Sequence, residues 1–435
     1  MIQTIDLRGI LPTAAALLAA VPRSATDVAT ASDVAAELIA DVRLRGAAAL
    51  FDQAERLDRV RPEHLRVPAE HIREAVDALD PQVRTAIDET IRRVRLASAA
   101  QVPAGATTTV ADGAVITQRW QPVNRVGLYV PGGKAVYPSS VVMNVVPAQV
   151  AGVHSLVLVS PAQSHFGGRV HPTILAVAGL LGVDEIYAMG GAGAIGALAY
   201  GVADIGLDPV QLVTGPGNVY VAAAKRLIRG QAGIDSEAGP TDILVIADAH
   251  ADPLLVAADL VSQAEHDELA AAVLVTNSEP LARRVETRLA ELSLTTRHGE
   301  RVTVALGGPQ SALVLVDTLA VAAGFSNAFG PEHLEIQTSD PDAVLALIEN
   351  AGAIFLGPHS PVSLGDYVAG SNHVLPTGGQ ARFSSGLGAY TFLRPQQVIR
   401  YDRDALQAVA AHIVALSGAE DLPAHGDAVT ARFSD

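Results

Sequence analysis

The strongest constraint on this chain is a repeated alternation. From Arg125 onward, short runs rich in β-branched residues are mostly followed by Ala-rich stretches of helical length. The runs read RVGLYV, HSLVLVS, DEIYAMG and VQLVTG, then DILVIAD, AAVLVTN, ALVLVD and AIFLG. A strand buried on both faces reads as a continuous apolar run, and a crossover helix brings the chain back parallel. The alternation therefore predicts an α/β fold with parallel sheets covered by helices. The runs form two groups of four that divide near Pro240, so two sheets are expected. At 435 residues the chain is also too long for a single core.

Before Arg125 the pattern is helical. ASDVAAELIADVRLRGAAALFDQAERLD and IREAVDALDPQVRTAIDETIRRVRLASAAQ space apolar residues by three and four, with charges between. Ser32 or Asp33 is the expected cap of the first. TTTVADGAVITQRWQPV alternates around Asp-Gly, a hairpin signal. This region is expected to pack with the second group of strands. After Leu387 the alternation stops, leaving an extended piece and helices too small for a core of their own. Such a tail must dock on the main body or on a partner subunit.

Composition excludes several functions. A formal charge of −16, with no long Lys/Arg run, disfavours nucleic acid and anionic membrane surfaces. No uncharged apolar run is long enough to span a bilayer. ILPTAAALLAAVP follows Asp6 and Arg8 rather than a basic n-region, so a short surface helix is expected there and a cytoplasmic location for the protein. The absence of cysteine removes disulfides, zinc-thiolate sites and thiol nucleophiles together.

Glycine-rich turns follow three strands of the first group, in YVPGGKAVYPSS, MGGAGAIGALAYG and VTGPGNVY. Backbone amides at such strand-to-helix turns suit phosphate. Gly191 to Gly196 match the dinucleotide pattern G-x-G-x-x-G literally, but the next strand ends in Thr214 and Gly215, not in an acidic residue to hold a ribose. Tight packing in an Ala/Gly-rich domain explains that motif as well as cofactor binding does.

Polar constellations lie in the second half. In ADLVSQAEHDEL, Gln263 and His266 share one face at a helix end, half of a usable metal site. A solvated helix end, with His at the negative pole, is the favoured reading of that stretch alone. SLGDYVAGSNHVLPT presents Asp366 and His373 in a loop, as functional groups or as turn residues. GAEDLPAHGDAV offers Glu420 and His425, and read locally it is a capped helix start. GPEHLEI places Glu332 beside His333, and read locally it is a turn into an amphipathic segment with Glu332 and Glu335 solvated.

Together, GLYVPGG, GPGNVYV, AGPTDILVIAD, LVSQAEHD, GPEHLEI, GDYVAGSNHVLPT and AEDLPAH resemble, in order and spacing, the motifs of the histidinol dehydrogenase family, from about Thr30 to the end. The resemblance implies oxidation of L-histidinol through histidinaldehyde to L-histidine with two NAD, and zinc, one ion per subunit. It implies metal ligands Gln263, His266, Asp366 and His425, the last reaching the site of a partner subunit in a homodimer with exchanged tails. Substrate contacts carried over are Thr241, His333, Glu420 and His373, besides the metal ligands. NAD contacts are Tyr129 and Asn218; Gly193 stands where the family usually has a Gln in GGAQAI, so a side-chain contact to NAD is absent there. The catalytic residues implied are Glu332 and His333: the imidazole as base for both oxidations, the carboxylate as activator of the water a cysteine-free aldehyde oxidation needs.

The fold expected is then two incomplete Rossmann-like parallel-sheet domains with helices on both faces, plus the small tail region. The division expected is an arm over 1–24, a metal and substrate domain over 25–128 and 241–387, an NAD domain over 129–240 and a dimerisation tail over 388–435. A related NAD- and zinc-dependent dehydrogenase of another small polar alcohol is the alternative; Glu420 and His373 favour histidinol.

Overall fold

Every apolar run named above is a strand, and the strands form two parallel sheets. The computed structural model describes every residue except 1, 11–12, 24–27, 133–135, 238 and 435, and only the backbone of 14, 18, 28 and 29. In spatial order the five-stranded sheet is Ile186–Ala188, Ser155–Ser160, Arg125–Tyr129, Leu212–Thr214 and Gly233–Ile234. The six-stranded sheet is Gln3–Asp6, Ala312–Leu315, Ala271–Thr276, Asp242–Ala247, His333–Gln337 and Ala353–Leu356. In each, the chain adds strands to one side and then returns to the other side of its first large strand. That reversal opens a crevice where neighbouring loops part.

Three strands escaped the sequence reading, each for a physical reason. Gln3–Asp6 is a mostly exposed edge and lacks an apolar run. Gly233–Ile234 is only two residues long. His333–Gln337 lies between Asp242–Ala247 and Ala353–Leu356 and is wholly buried, yet one of its faces is polar. Glu332 and Glu335, solvated in the local reading, are 6% and 1% exposed.

The N-terminal helices pack on the five-stranded sheet, not on the second group of strands. Helix Val28–Arg45 lies on helices Gly191–Tyr200 and Val219–Leu227, Ala69–Asp77 lies on Pro172–Leu180, and Pro81–Ala100 lies on Pro138–Val150. The stripe Ala35, Leu38, Ile39 and Val42 shares a core with Tyr129, Val157 and Ile195 on one sheet face. Ile72, Ile87, Ile91 and Val94 share the other core, with Leu128, Val146 and Ile174. Small residues admit these approaches: a Cβ at Gly179 would stand 2.8 Å from Ile72 and Val76. The grouping of 25–128 with 241–387 therefore does not match the packing. Ser32 and Asp33 lie inside helix Val28–Arg45 rather than at its cap.

The hairpin Ala106–Ala111 and Ala114–Pro122 pairs with Leu393–Tyr401 in a three-stranded antiparallel sheet. Beyond it, helices Arg403–Ala419 and Pro423–Thr430 pack mainly on each other. Val414, Leu416 and Leu422 on them are 45%, 65% and 44% exposed. The short helix Ala14–Ala20 seats Leu17 and Val21 in the core of the six-stranded sheet. No helix among the described residues is long and apolar enough to cross a membrane.

Candidate active site

The site is built on the turn that leads into strand His333–Gln337. Helix Leu319–Phe329 ends at Gly330 in the left-handed region, φ 56°, and Pro331 prevents its continuation. Glu332 follows, its N–H donating to Asp242 Oδ1 at 2.7 Å. Glu332 Oε2 accepts from the Thr241 hydroxyl and, at 3.1 Å, from the Asp242 N–H. The ring of His333 stays beside it, with Nδ1 3.8 Å from Glu332 Oε2 and 3.1 Å from the Asp242 carbonyl oxygen. A carbonyl only accepts, so Nδ1 carries the hydrogen and Nε2 is left as the acceptor. The two neighbours thus use the same partner, Asp242, at different atoms. Gly352 admits this turn, because a Cβ there would meet Glu332 O at 2.5 Å.

Two groups missed in the sequence support the turn. Arg23 Nη1 lies 2.8 Å from Asp242 Oδ2, and its guanidinium stands 4.0 Å over the Phe329 ring. Arg23 also donates to the Phe329 carbonyl. A lone Arg before the first long helix gives no sequence signal. Asp242 opens the run DILVIAD, and a carboxylate starting a buried strand is the one hint available.

Gln263 ends helix Pro253–Ala264, and His266 lies just beyond, its N–H on the Gln263 carbonyl at 3.2 Å. Gln263 Nε2 donates to the Thr241 hydroxyl, which donates in turn to Glu332. One directed line of hydrogen bonds therefore runs from Gln263 to the carboxylate. Asp366 sits in helix Val362–Tyr367, which packs on helix Pro253–Ala264. His373 Nδ1 donates to the Asp366 carbonyl at 2.9 Å, and Nε2 lies 3.1 Å from the Ser140 hydroxyl. Ser140 belongs to a helix of the five-stranded sheet, so His373 spans both halves of the molecule. The serine pair in YPSS, directly after a glycine loop, was its available sequence signal.

The electrostatics follow from crowding. Burial pushes the Glu332 carboxyl up to about 7; His333 and the bonds from Thr241 and Asp242 N–H oppose this, while the Asp242 charge adds to it. Burial also pulls the His266 and His373 imidazoles down, against the nearby Asp366 charge, and His333 acts on both in the same sense as burial. His266 is nonetheless exposed at the surface of this chain. Tyr137 and Tyr367 lie close enough to Asp366 to feel its charge, and burial raises both phenols.

Among the described residues no three His, Asp or Glu side chains are gathered closely enough to hold a metal ion. His266 lies close enough to Asp366 to feel its charge, the helices bearing Gln263 and Asp366 pack together, and no described hydrogen bond occupies Gln263 Oε1, the His266 ring or the Asp366 carboxylate. Those donors fit a divalent metal of the zinc type but fall one short of a closed tetrahedral set. Glu420 and His425 are exposed on the tail, and no described interaction links either to this cluster.

The residues expected to meet NAD lie at and beyond the carboxyl ends of the paired strands Arg125–Tyr129 and Leu212–Thr214. Tyr129 is buried, and its hydroxyl accepts from the Gly191 N–H at 3.2 Å. Asn218 Oδ1 caps helix Val219–Leu227 by accepting from Tyr220 and Val221 N–H, at 3.1 Å and 3.2 Å. Its amide N–H groups remain for a ligand. Gly193 lies in the first turn of helix Gly191–Tyr200, where a Cβ would stand 2.0 Å from Gln53 Oε1. The carboxamide of Gln53, held by the Leu38 carbonyl at 3.1 Å, fills that space.

The chain matches the family model described as histidinol dehydrogenase over residues 21–433. It is 70% identical over 433 residues to the histidinol dehydrogenase of Leifsonia xyli subsp. xyli, covering 100% of this chain and 99% of that protein. It is 58% identical over 433 residues to that of Thermobifida fusca, covering 100% and 98%. Among solved structures, histidinol dehydrogenase from Elizabethkingia anophelis matches with a TM-score of 0.92 and 30% identity, covering 99% of this chain and 98% of that one.

Proposed function

This chain belongs to the histidinol dehydrogenase family, and we propose that Glu332 and His333 divide between them the proton chemistry of its reaction. It is an NAD-dependent oxidoreductase of histidine biosynthesis, converting L-histidinol to L-histidine. The observation that carries the assignment is the buried pair itself. Adjacent in sequence, both groups grip Asp242, and each leaves a different atom for substrate.

When bound, NAD would serve as the hydride acceptor in both oxidations, and a zinc ion would supply Lewis-acid anchoring of the substrate. Gln263, His266 and Asp366 would hold that ion in one chain, with His425 of the partner subunit completing the set. Tyr129 and Asn218 would line the NAD crevice, and Thr241, His373 and the partner's Glu420 would hold the substrate.

His333 accepts the carbinol proton at Nε2 as the hydride leaves, giving the aldehyde. With no cysteine in the chain, a water must add instead. Glu332 takes a proton from that water as its oxygen bonds to the aldehyde carbon, while the His333 imidazolium returns its proton to the carbonyl oxygen, which becomes the second hydroxyl of a gem-diol. His333 then accepts a hydroxyl proton again as the second hydride leaves, giving the carboxylic acid. Thr241 keeps Glu332 aimed by donating to it while Gln263 donates to Thr241.

NADH absorbance tests the scheme. Two NADH are expected per histidine formed, with loss of turnover under a chelator and recovery on adding zinc. Glu332→Gln should slow aldehyde oxidation by roughly 10²-fold or more while leaving histidinol oxidation nearly intact. Equal losses in both steps would sink the division of labour. His333→Asn should damage both.

A further inference from the structure

Strand His333–Gln337 turns Leu334 and Ile336 into the apolar core on one face. Its other face carries His333, Glu335 and Gln337, which are 5%, 1% and 4% exposed. Helix Pro253–Ala264 covers that face with Asp259, 9% exposed, whose carboxyl meets the carboxyl of Glu335. Glu335 Oε1 accepts from Gln337 Nε2 at 3.0 Å, while Glu335 Oε2 is buried with no donor on it. Asp259 and Gln337 are the polar neighbours acting on Glu335, and Glu335 is the one acting on Asp259, so no described cation faces either carboxyl.

Two adjacent carboxylates without a counter-charge do not both ionise in an interior, and an unpartnered carboxylate oxygen there is costly. A proton on Oε2 removes both problems, because it turns the orphan acceptor into a donor aimed at a carboxylate.

We propose that Glu335 is protonated and donates its carboxyl hydrogen to Asp259, forming a one-proton clamp that positions the helix bearing Gln263 against the strand bearing His333.

The spacing supports this function. Asp259 and Gln263 are four apart on the helix, a rise of about 6 Å. Glu335 and His333 are two apart on the strand, a rise of about 6.6 Å. The crossover helix runs antiparallel to the strands it links, so Asp259 opposite Glu335 brings Gln263 opposite His333. The clamp therefore sits one matched repeat below the active site and fixes the separation of the groups there. Burial, first, and the Asp259 charge lift the Glu335 carboxyl to about 9, and burial lifts Asp259 as well. Glu335 and Asp259 are positioning residues, and this half of the inference rests on the roles proposed for Gln263 and His333.

The clamp has a signature in stability alone. The unfolded chain releases the Glu335 proton near pH 4.5, whereas the folded chain keeps it to about pH 9. Stability contributed by this group therefore falls as pH rises through that window and levels above it. Denaturant unfolding of the full chain between pH 5 and 9, without cofactor or substrate, should show a pH slope steeper by about one proton for the wild type than for Glu335→Gln. Asp259→Asn, whose amide donates to the Glu335 carboxylate, should make the same slope shallower, since burial still raises Glu335. Glu335→Gln keeps a donor toward Asp259 and should retain kcat and KM, while Glu335→Leu, folded by circular dichroism, should lose at least tenfold in kcat. Parallel slopes for wild type and Glu335→Gln would show Glu335 ionised and overturn the clamp. Wild-type kcat in Glu335→Leu would overturn its positioning role. The slope holds or fails independently of whether Gln263 takes a metal.

Discussion

Asp242 joins most of the groups that aim the proposed catalytic pair. Its carboxylate takes the Glu332 N–H and the Arg23 guanidinium, its N–H points at Glu332 Oε2, and its carbonyl holds His333. With a side chain only 2% exposed, it depends on Arg23 as counter-charge. Arg23→Met should therefore cost about 2–3 kcal/mol in denaturant unfolding, less than a fully buried pair because Arg23 is partly solvated. It should also slow aldehyde oxidation more than histidinol oxidation, since Glu332 would face an uncompensated neighbour. Glu332 itself predicts a pH profile. A base must be ionised, so with its carboxyl near pH 7, aldehyde oxidation should rise through about pH 7 and flatten above. Stability moves the other way: the folded value exceeds the unfolded 4.5, so this group's contribution declines between about pH 4.5 and 7. A rate flat from pH 6 to 9 would remove Glu332 as the base. None of this was legible locally. Glu332 reads as a solvated turn because burial depends on neighbours tens to hundreds of residues away.

At the scale of elements, the glycines divide into those that shape a crevice and those that merely match a pattern. Gly215 ends strand Leu212–Thr214 at φ 113°, and a Cβ there would stand 2.0 Å from the Tyr129 carbonyl oxygen, a backbone atom that cannot step aside. Its carbonyl accepts from Lys225 Nζ at 3.0 Å, and its N–H donates to Asp235 Oδ2 at 2.9 Å. Gly215→Ala should lower stability by about 3 kcal/mol or more and raise KM for NAD ahead of any change in kcat. Melting curves and saturation with NAD would read both. An unchanged KM for NAD would dissociate this turn from the cofactor. Gly193 is different. The sequence comparison within GGAQAI implied a lost contact to NAD, but the space its side chain would enter holds the Gln53 carboxamide. The apolar strands were legible because burial on both faces leaves continuous β-branched runs. His333–Gln337 was not, because its buried polar face mimics a solvated one.

At the scale of the molecule, the tail holds Glu420 and His425 exposed, with no described interaction to this chain's own Gln263, His266 or Asp366. Helices Arg403–Ala419 and Pro423–Thr430 expose Leu416 and Leu422, and among the described residues the strand before them and the Asp402 N–H tie the tail to the hairpin. If each tail completes a partner's site, mixing chains carrying His333→Asn with chains carrying His425→Ala should rebuild one intact site in each mixed dimer. Refolded together, they should recover about a quarter of wild-type activity. Two inactive parents that stay inactive when mixed would place His425 outside the partner's site.

The alternation of strands and helices, the missing cysteines and the polar motifs are local properties, and the sequence by itself determined the α/β class, the parallel sheets and the candidate residues. Tertiary structure alone decided which helices cover which sheet, because several amphipathic stripes fit several apolar faces and only complementary shape selects among them. It alone joined Arg23 to Asp242, Ser140 to His373 and Asp259 to Glu335. Charge, burial and protonation at those contacts are set by groups distant in sequence, and desolvation is a property of the packed neighbourhood rather than of any residue in it.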